Sequence, residues 1–217
     1  MLKKALCSWS GGKDSCYALL QSVQMGYTPA VLLNVLNEEG KISRSHGIPA
    51  NILEAQAAKA KLPVHLISSS WESYEVNFTN ALITLRDKHD VSYAIFGDID
   101  LQAHREWEEM VAKKAGLTAI LPLWKQDRRS LVLQMIESGI RSMIVSCNET
   151  MGENFLGRLV TKELVTELEA MGIDACGENG EYHTLVLDCP LFESAIDVRV
   201  TSKVLHGAYW FSTLDLD

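Results

Sequence analysis

The residues with the clearest capacity for chemistry form a short run near the start of the sequence, SGGKDS at residues 10–15. The run lies between an apolar segment and an amphipathic one, so it is predicted to join a strand to a helix. Glycines let the backbone approach an anion closely, and a helix start presents unpaired N–H groups with a partial positive charge. The run therefore predicts a phosphate cradle, with a capped turn as the plainer alternative. Its members are Ser10, Gly11, Gly12, Lys13, Asp14 and Ser15.

Two familiar phosphate motifs do not fit this run. A Walker A loop needs glycine five residues before its Gly-Lys pair and a hydroxyl residue after the lysine, but those positions hold Cys7 and Asp14. The dinucleotide fingerprint needs a third glycine, and none follows. A carboxylate beside phosphates is repelled unless a cation lies between them, so Asp14 predicts a bound Mg²⁺.

A second cluster, CGENGEYHT at residues 176–184, combines carboxylates with an imidazole. Glu178, Glu181 and His183 could hold or deprotonate a substrate amine. The alternative is structural, because Asn179-Gly180 is the favoured pair of a type I′ hairpin turn and the glutamates could be its solvated flanks.

The elements that must position these residues alternate between short apolar and longer amphipathic segments. Strands are predicted over 2–9, 30–36, 64–67 and 93–96, and the helices after the last three over 50–61, 73–88 and 101–115. In the first helix Cys16, Leu19, Leu20 and Val23 share one face, and Gly26 marks its end. This βα alternation predicts an α/β fold with a Rossmann-like, doubly wound parallel sheet.

Beyond residue 124 the pattern changes. Helices are predicted over 129–137 and 161–171, an apolar segment over 143–146, and β-rich segments over 182–187 and 196–204. We therefore predict a main domain over residues 1–124 and a smaller C-terminal α+β domain over residues 125–217. No proline- or serine-rich linker separates them, so they are expected to share an interface.

Composition limits the remaining classes. The chain has 20 Lys plus Arg against 28 Asp plus Glu, a net charge of −8, which disfavours nucleic-acid binding. No apolar run approaches the ~20 residues of a membrane helix, and the apolar stretch near the start is too short for a signal peptide. Five cysteines without a Cys-x-x-Cys pair suit reduced thiols rather than disulfides or zinc. A cytoplasmic protein with no membrane partner is expected.

The run at 10–15 after a first strand resembles the PP-loop of the ATP pyrophosphatases. The chain is similar to the diphthine-ammonia ligase family over nearly its whole length. The resemblance rests on this run, the cluster at 176–184, the segments Gly97-Asp98-Ile99 and Pro122-Leu123-Trp124, Arg105 and Glu109. The resemblance implies the adenine nucleotide alpha hydrolase (HUP) type of fold, an ATP-binding domain at 1–124 and a substrate-binding domain at 125–217.

Members of that family adenylate a carboxylate with ATP, release pyrophosphate, and let ammonia displace AMP; their known acceptor is diphthine on elongation factor 2. The resemblance implies ATP and Mg²⁺, ammonia or a glutaminase that supplies it, and a carboxylate acceptor that is a small molecule or a protein such as elongation factor 2; it leaves room for a homodimer. The nucleotide site implied comprises residues 10–15, Asn34, His46, Gly97 and Asp98. The catalytic set implied comprises Lys13, Asp14, Arg105, Glu178, Glu181 and His183, with Asp14 as metal ligand. Glu108 and Glu109 fit a solvated helix surface equally well, and Trp9, Trp71, Trp124 and Trp210 are expected as core or interface anchors.

The sequence departs from the family where the acceptor is expected. The eukaryotic and archaeal ligases carry Ser-x-Tyr-Gln-Arg-x-Arg after the fourth strand, of whose polar residues only Arg105 is retained; Leu101, Ala103, His104 and Trp107 replace the others. Asn179 replaces a glycine and His183 a glutamate. The changes suggest a bacterial branch with another acceptor. Two alternatives stay open, a PP-loop enzyme that modifies tRNA and a non-catalytic sensor of ATP or AMP.

Overall fold

A five-stranded parallel sheet forms the first part of the molecule, in a computed structural model that describes residues 2–217. Its strand order is β3-β2-β1-β4-β5. The elements are β1 (Lys3–Ser8), α1 (Lys13–Gln24), β2 (Tyr27–Leu36), α2 (Ala50–Lys59), β3 (Val64–Ser68), α3 (Tyr74–His89), β4 (Tyr93–Ile95), α4 (Gln102–Lys114) and β5 (Thr118–Ile120). The Rossmann-like prediction is confirmed. The chain order reverses beside β1, which opens a crevice at the carboxyl ends of β1 and β4.

A four-stranded antiparallel sheet, in the order β7-β6-β9-β8, forms the second part. Its elements are α5 (Arg128–Glu137), β6 (Arg141–Asn148), a 3₁₀ turn at Glu153–Phe155, α6 (Lys162–Ala170), β7 (Tyr182–Asp188), β8 (Val198–His206) and β9 (Tyr209–Leu216). Within the described part of the chain, no helix is long and apolar enough to cross a membrane.

The two faces of the parallel sheet are covered differently. On one face α3 and α4 enclose a core that includes Phe78, Leu82 and Phe96. On the other face, α1 and α2 lie in a core that continues without interruption into β6 and β7 of the second sheet. Because β7 packs on α1, this helix is buried on nearly all sides.

Four predictions about local structure were wrong or incomplete. In the last turn of α1 Ser22 is buried while Val23 is 37% exposed, because the second sheet encloses the helix from another side. Strands β5 and β9 were not predicted. Residues 171–181 contain turns and loop but no strand, so no strand leads directly into Asn179-Gly180 and this pair is not a hairpin turn. Trp71 is 68% exposed at the surface between β3 and α3, where the Arg44 guanidinium lies 4.7 Å from its ring centroid.

Candidate active site

The SGGKDS run forms a tight loop between β1 and α1. Gly12 is the N-cap of α1, and Gly11 has φ +84°, a conformation that costs a residue with a Cβ free energy. Ser10 and Ser15 share a hydrogen bond between their hydroxyl oxygens at 3.0 Å, and the Gly12 N–H donates to Ser10 Oγ at 3.2 Å. The serines therefore set the loop shape as well as offering donors.

Strand β7 of the second sheet is docked onto this loop. The Lys13 N–H, at the start of α1, donates to Thr184 Oγ1 at 3.0 Å, and the Val186 N–H donates to the Gly11 carbonyl at 2.9 Å. Gln56 of α2 donates through Nε2 to the carbonyls of Gly11 at 3.0 Å and Val186 at 2.7 Å. The loop is thus held by residues from three elements that are far apart in the chain.

Lys13 and Asp14 form an ion pair at the start of α1. The Lys13 ammonium lies 2.9 Å from Asp14 Oδ2, donates to the Cys176 carbonyl at 2.6 Å and stands 5.3 Å from the centroid of the Tyr182 ring. Burial alone would lower the pKa of Lys13, but the Asp14 carboxylate and other negative groups raise it, so the side chain stays charged. Buried positive charge therefore lies directly beneath the loop.

Glu178, in the loop before β7, lies near the Lys13–Asp14 ion pair. Burial first, and then the nearby carboxylates of Asp14 and Asp98, raise the pKa of its carboxyl to about 8, with Lys13 opposing them. A carboxyl with this pKa exchanges its proton near neutral pH, as a general acid or base requires.

Glu181 holds the loop rather than facing a ligand. Its Oε2 accepts the Asn179 N–H at 3.0 Å, and its Oε1 accepts the Asn179 side-chain amide at 3.0 Å and the Asp174 N–H at 3.3 Å. Both carboxylate oxygens are therefore occupied by donors from its own loop.

We expect Glu181→Gln to lower the free energy of unfolding by about 1–3 kcal/mol, because one amide NH₂ would then face an N–H donor. Urea unfolding measures this, with Glu149→Gln at an exposed position as the control. Unchanged stability together with slower amide formation would instead assign Glu181 to the chemistry.

His46 and His183 lie against each other beside the loop, with ring centroids 4.6 Å apart. His46 Nδ1 donates to the Thr184 carbonyl at 2.9 Å. Burial lowers the pKa of His46, and burial followed by the charges of His46 and Lys13 lowers the pKa of His183 to about 3. Both rings are therefore neutral at physiological pH, which suits positioning better than proton transfer.

A narrow cavity of about 70 Å³ lies at the carboxyl edge of the parallel sheet, between β1, β2 and the loop that carries His46. Asn34 lines it and donates through Nδ2 to the Trp9 carbonyl at 2.7 Å. Its Oδ1 is buried and has no hydrogen-bond partner among the described residues. An amino group such as that of adenine would supply the missing donor.

A larger cavity of about 560 Å³ adjoins the narrow one and shares Ser8, Ser10, Tyr74 and Phe78 with it. Asp98 lines the larger cavity, where its Oδ1 accepts a hydrogen bond from His104 Nδ1 at 2.7 Å. Glu108 also lines it and is only 5% exposed. Glu108 is thus not part of a solvated helix surface, because its side chain lies on the buried side of α4 at the larger cavity.

Arg105 lies outside these contacts. It donates to Glu109 Oε1 at 2.7 Å, and its guanidinium stands 4.9 Å from the centroid of the Trp124 ring. The structure brings together the 10–15 loop, Asn34, His46, Gly97, Asp98, Glu178 and His183 around one crevice, but directs Arg105 to Trp124 and Glu181 to its own loop.

The burial of Glu108 predicts an unusual pH dependence. Burial and then the Asp98 carboxyl raise its pKa from 4.5 to about 11, so the folded state favours the protonated form. The contribution of Glu108 to the free energy of unfolding is therefore complete below about pH 4.5. It is lost progressively as the pH rises toward 11, by up to ~1.4 kcal/mol per pH unit.

We expect Glu108→Gln to remove this dependence and to be more stable than the parent chain at pH 7 and above, with a difference that grows with pH. Urea unfolding between pH 5 and 9 measures it, and Glu106→Gln on the exposed side of the same helix is the control. Parallel pH profiles of the parent and Glu108→Gln would contradict the assignment.

Sequence reasoning missed three residues of this region. Gln56 stands in the buried stripe of α2 with Ile52, Leu53 and Ala57, and a polar residue in that stripe was an available signal. Thr184 was noted only as part of its motif. Arg128 gave no local signal, yet it donates two bonds to Asp100, both at 2.8 Å, and also contacts Asp174, which ties α5 to the loop after β4 and to the loop before β7.

The donor set is compatible with Mg²⁺ only in combination with a nucleotide. Across residues 2–217, no group of three or more His, Cys, Asp or Glu side chains is arranged to hold a metal ion. The half-buried Asp14 carboxylate offers oxygen ligands, and Mg²⁺ commonly combines one or two carboxylates with substrate phosphates. Asp14 therefore fits a metal that is bound together with ATP.

Comparison with known proteins gives consistent matches. The family model described as diphthamide synthase N-terminal domain matches residues 3–119, and the diphthamide synthase C-terminal domain matches residues 127–215. A human protein named diphthine--ammonia ligase is 28% identical, with 94% of this chain and 85% of that protein aligned. Its zebrafish (Danio rerio) counterpart is 29% identical, with 91% and 87% aligned. A solved structure titled as a predicted subunit of tRNA methyltransferase from Methanocaldococcus jannaschii overlays with TM-score 0.46 and 15% identity, covering 87% of this chain and 98% of that one.

Proposed function

Because the chain belongs to the diphthamide synthase family, we propose that it is an ATP-dependent amide ligase that adenylates a substrate carboxylate, releases pyrophosphate, and joins the carboxyl group to ammonia. The observation that carries this proposal is the SGGKDS loop at the crevice of the parallel sheet, with buried Lys13 beneath it and two cavities beside it. Residues 1–124 are the proposed ATP-binding domain and residues 125–217 the proposed substrate-binding domain.

Each end of ATP has a matching feature. The phosphates lie at the loop, where the start of α1 contributes partial positive charge. The amino group of the adenine reaches the narrow cavity, where the unpartnered Asn34 Oδ1 accepts from it. His46, packed against His183 with the two rings tilted, forms the wall between these two regions.

Adenylation requires positive charge where the pyrophosphate leaves. The acceptor carboxylate attacks the α-phosphorus, the bond to the bridging oxygen breaks, and negative charge builds on the departing pyrophosphate. Lys13, held by Asp14 beneath the loop, and the partial positive charge at the start of α1 stabilise that charge through an arrangement that exists before reaction. Asp14 would hold Mg²⁺, which supplies charge neutralisation at the phosphates.

Amide formation requires that a proton leave the nitrogen. Ammonia attacks the acyl carbonyl, AMP departs, and a base takes the proton from the nitrogen. Glu178 is the proposed base because its carboxyl faces the cluster around Asp14 and Asp98 and has a pKa of about 8. The ammonia is free or comes from a glutaminase, and the acceptor differs from diphthine because His104 and Trp107 stand at the larger cavity.

Pyrophosphate–ATP exchange with Mg²⁺ tests the proposal, with fractions of a cell extract as the source of acceptor. Exchange that depends on one fraction supports reversible adenylation, and release of AMP with added ammonia completes the case. Tight ATP binding without exchange in any fraction would favour a non-catalytic nucleotide sensor.

We expect Asp14→Asn to reduce the exchange rate by about 10²-fold and to raise the Mg²⁺ concentration needed for half-maximal rate, because the metal loses its carboxylate ligand. The rate is measured against Mg²⁺ concentration, with Asp87→Asn on the exposed face of α3 as the control. An unchanged Mg²⁺ dependence would remove Asp14 from the metal site.

A further inference from the structure

The larger cavity has an uneven distribution of charge. Three carboxyl side chains line it, those of Glu75, Asp98 and Glu108, whereas its described lining residues include no lysine or arginine. The nearby Arg44 guanidinium lies 4.7 Å from the centroid of the Trp71 ring and lines the narrow cavity. Glu75 is half-buried and already pairs with Lys114 at 2.7 Å. Asp98 and Glu108 therefore define an acidic inner end, and His104 is the basic side chain among the described residues that line it.

Glu108 has an unmet hydrogen-bonding requirement at this inner end. The residue is 5% exposed, and its Oε2 has no hydrogen-bond partner among the described residues. A buried oxygen without a donor costs free energy, and most buried polar atoms in native proteins have a partner, so this oxygen is available to a donor from a ligand. Burial and then the Asp98 carboxyl keep a proton on Glu108, in the place that a cation could take.

Aromatic rings line the rest of the cavity. Tyr74, Phe78 and Trp107 stand together, with centroid distances of 5.7 Å between Tyr74 and Trp107, 5.3 Å between Phe78 and Trp107, and 5.9 Å between Tyr74 and Phe78. Ring faces attract cations and cover apolar carbon chains. The cavity thus combines carboxyls at its inner end with an aromatic wall.

The cavity also lies where the acceptor must bind. Ser8 and Ser10, at the end of β1 and in the phosphate loop, line both cavities, so a molecule in the larger one can reach the nucleotide phosphates. Its size is far beyond that needed for ammonia, since one water molecule occupies roughly 30 Å³ in the liquid.

We propose that the carboxylate acceptor of this chain also carries a protonated amine, and that the larger cavity binds this ammonium group through N–H hydrogen bonds to Glu108 and Asp98 while the aromatic rings cover its carbon chain. The ammonium replaces the proton held by the two carboxyls, and that proton passes to solvent. A quaternary ammonium would satisfy the rings but has no N–H for Glu108 Oε2. This inference rests on the proposed function only in identifying the bound amine with the acceptor.

Calorimetry with the full chain tests the site without any turnover. The probes are ω-amino carboxylates of three to six carbons, each compared with its N-trimethyl form and with the carboxylate that lacks nitrogen. We expect the best primary amine to bind at least about tenfold more tightly than either counterpart, with a heat that varies with the buffer because a proton is released. Glu108→Gln or Asp98→Asn should lose about tenfold in affinity and the buffer dependence, whereas Glu106→Gln on the exposed side of α4 should match the parent chain.

Any of three results would overturn the inference: the primary and N-trimethyl probes bind equally, Glu108→Gln and Asp98→Asn bind as the parent chain does, or no amine binds. Pyrophosphate exchange with the same probes distinguishes a failure of the ammonium site from a failure of the proposed ligase function. Binding without exchange by any carboxylate would leave the ammonium site in place and count against the ligase, whereas exchange that shows no preference for the amine would support the ligase and reject the site.

Discussion

Replacing Lys13 by methionine is expected to reduce pyrophosphate–ATP exchange by about 10²–10³-fold, which is the usual effect of removing one charged group that stabilises a transition state. Methionine keeps most of the side-chain volume, so the packing against Tyr182 is largely preserved. What is lost is the charge beside Asp14 and the donor to the Cys176 carbonyl. The exchange assay with saturating ATP measures the effect.

The stability of the same variant must be measured in parallel. Because the Cys176 carbonyl loses its donor and Asp14 its partner, we expect a decrease of about 1–3 kcal/mol in the free energy of unfolding, which leaves the chain folded at 25 °C. Lys41→Met, which removes an exposed partner of Glu39, is the control and should alter neither quantity. A folded Lys13→Met chain with full exchange activity would exclude Lys13 from catalysis.

Replacing Gly97 by alanine is expected to weaken ATP binding by about 10²-fold. An added Cβ would lie 2.9 Å from the Ser15 backbone nitrogen and 3.0 Å from the Asp14 carbonyl carbon. These are backbone atoms of the first turn of α1, so the contact can be relieved only by moving the phosphate loop away from β4. Displacements of about 1 Å at such sites commonly cost two orders of magnitude.

Calorimetric titration with Mg-ATP measures this loss, and Gly26→Ala separates it from a general loss of stability. Gly26 has φ +85° with no atom near its would-be Cβ, so alanine there costs about 1–2 kcal/mol of backbone strain far from the crevice. We expect Gly26→Ala to unfold more easily but to bind ATP normally. Normal ATP binding by Gly97→Ala would show that the loop tolerates the shift.

The structure shows where the residues that depart from the ligase pattern lie. His104 and Trp107 both line the larger cavity, the former bonded to Asp98 and the latter packed on Phe78. His183, in contrast, lies beside the phosphate loop against His46. The changes therefore affect two different walls, one at the proposed acceptor site and one at the nucleotide.

The sequence by itself determined the parallel sheet and the phosphate loop. Both depend on interactions between residues close in the chain: hydrophobic periodicity decides which face of a strand or helix is buried, and the glycines, lysine and aspartate of the loop are contiguous.

Only the tertiary structure decided which groups meet in the crevice. In the sequence, Glu108 looks like part of a helix surface because it stands among other glutamates, Glu106 and Glu109. In the structure those two are exposed while Glu108 is buried, which depends on how α4 packs against the sheet. Thr184 and Gln56 reach the loop because β7 and α2 are brought there from distant parts of the chain. Glu181 looked catalytic by type, yet its oxygens are occupied by its own loop. Burial and pairing arise from contacts between residues far apart in sequence, and these decide whether a polar side chain supports the fold or remains available to a ligand.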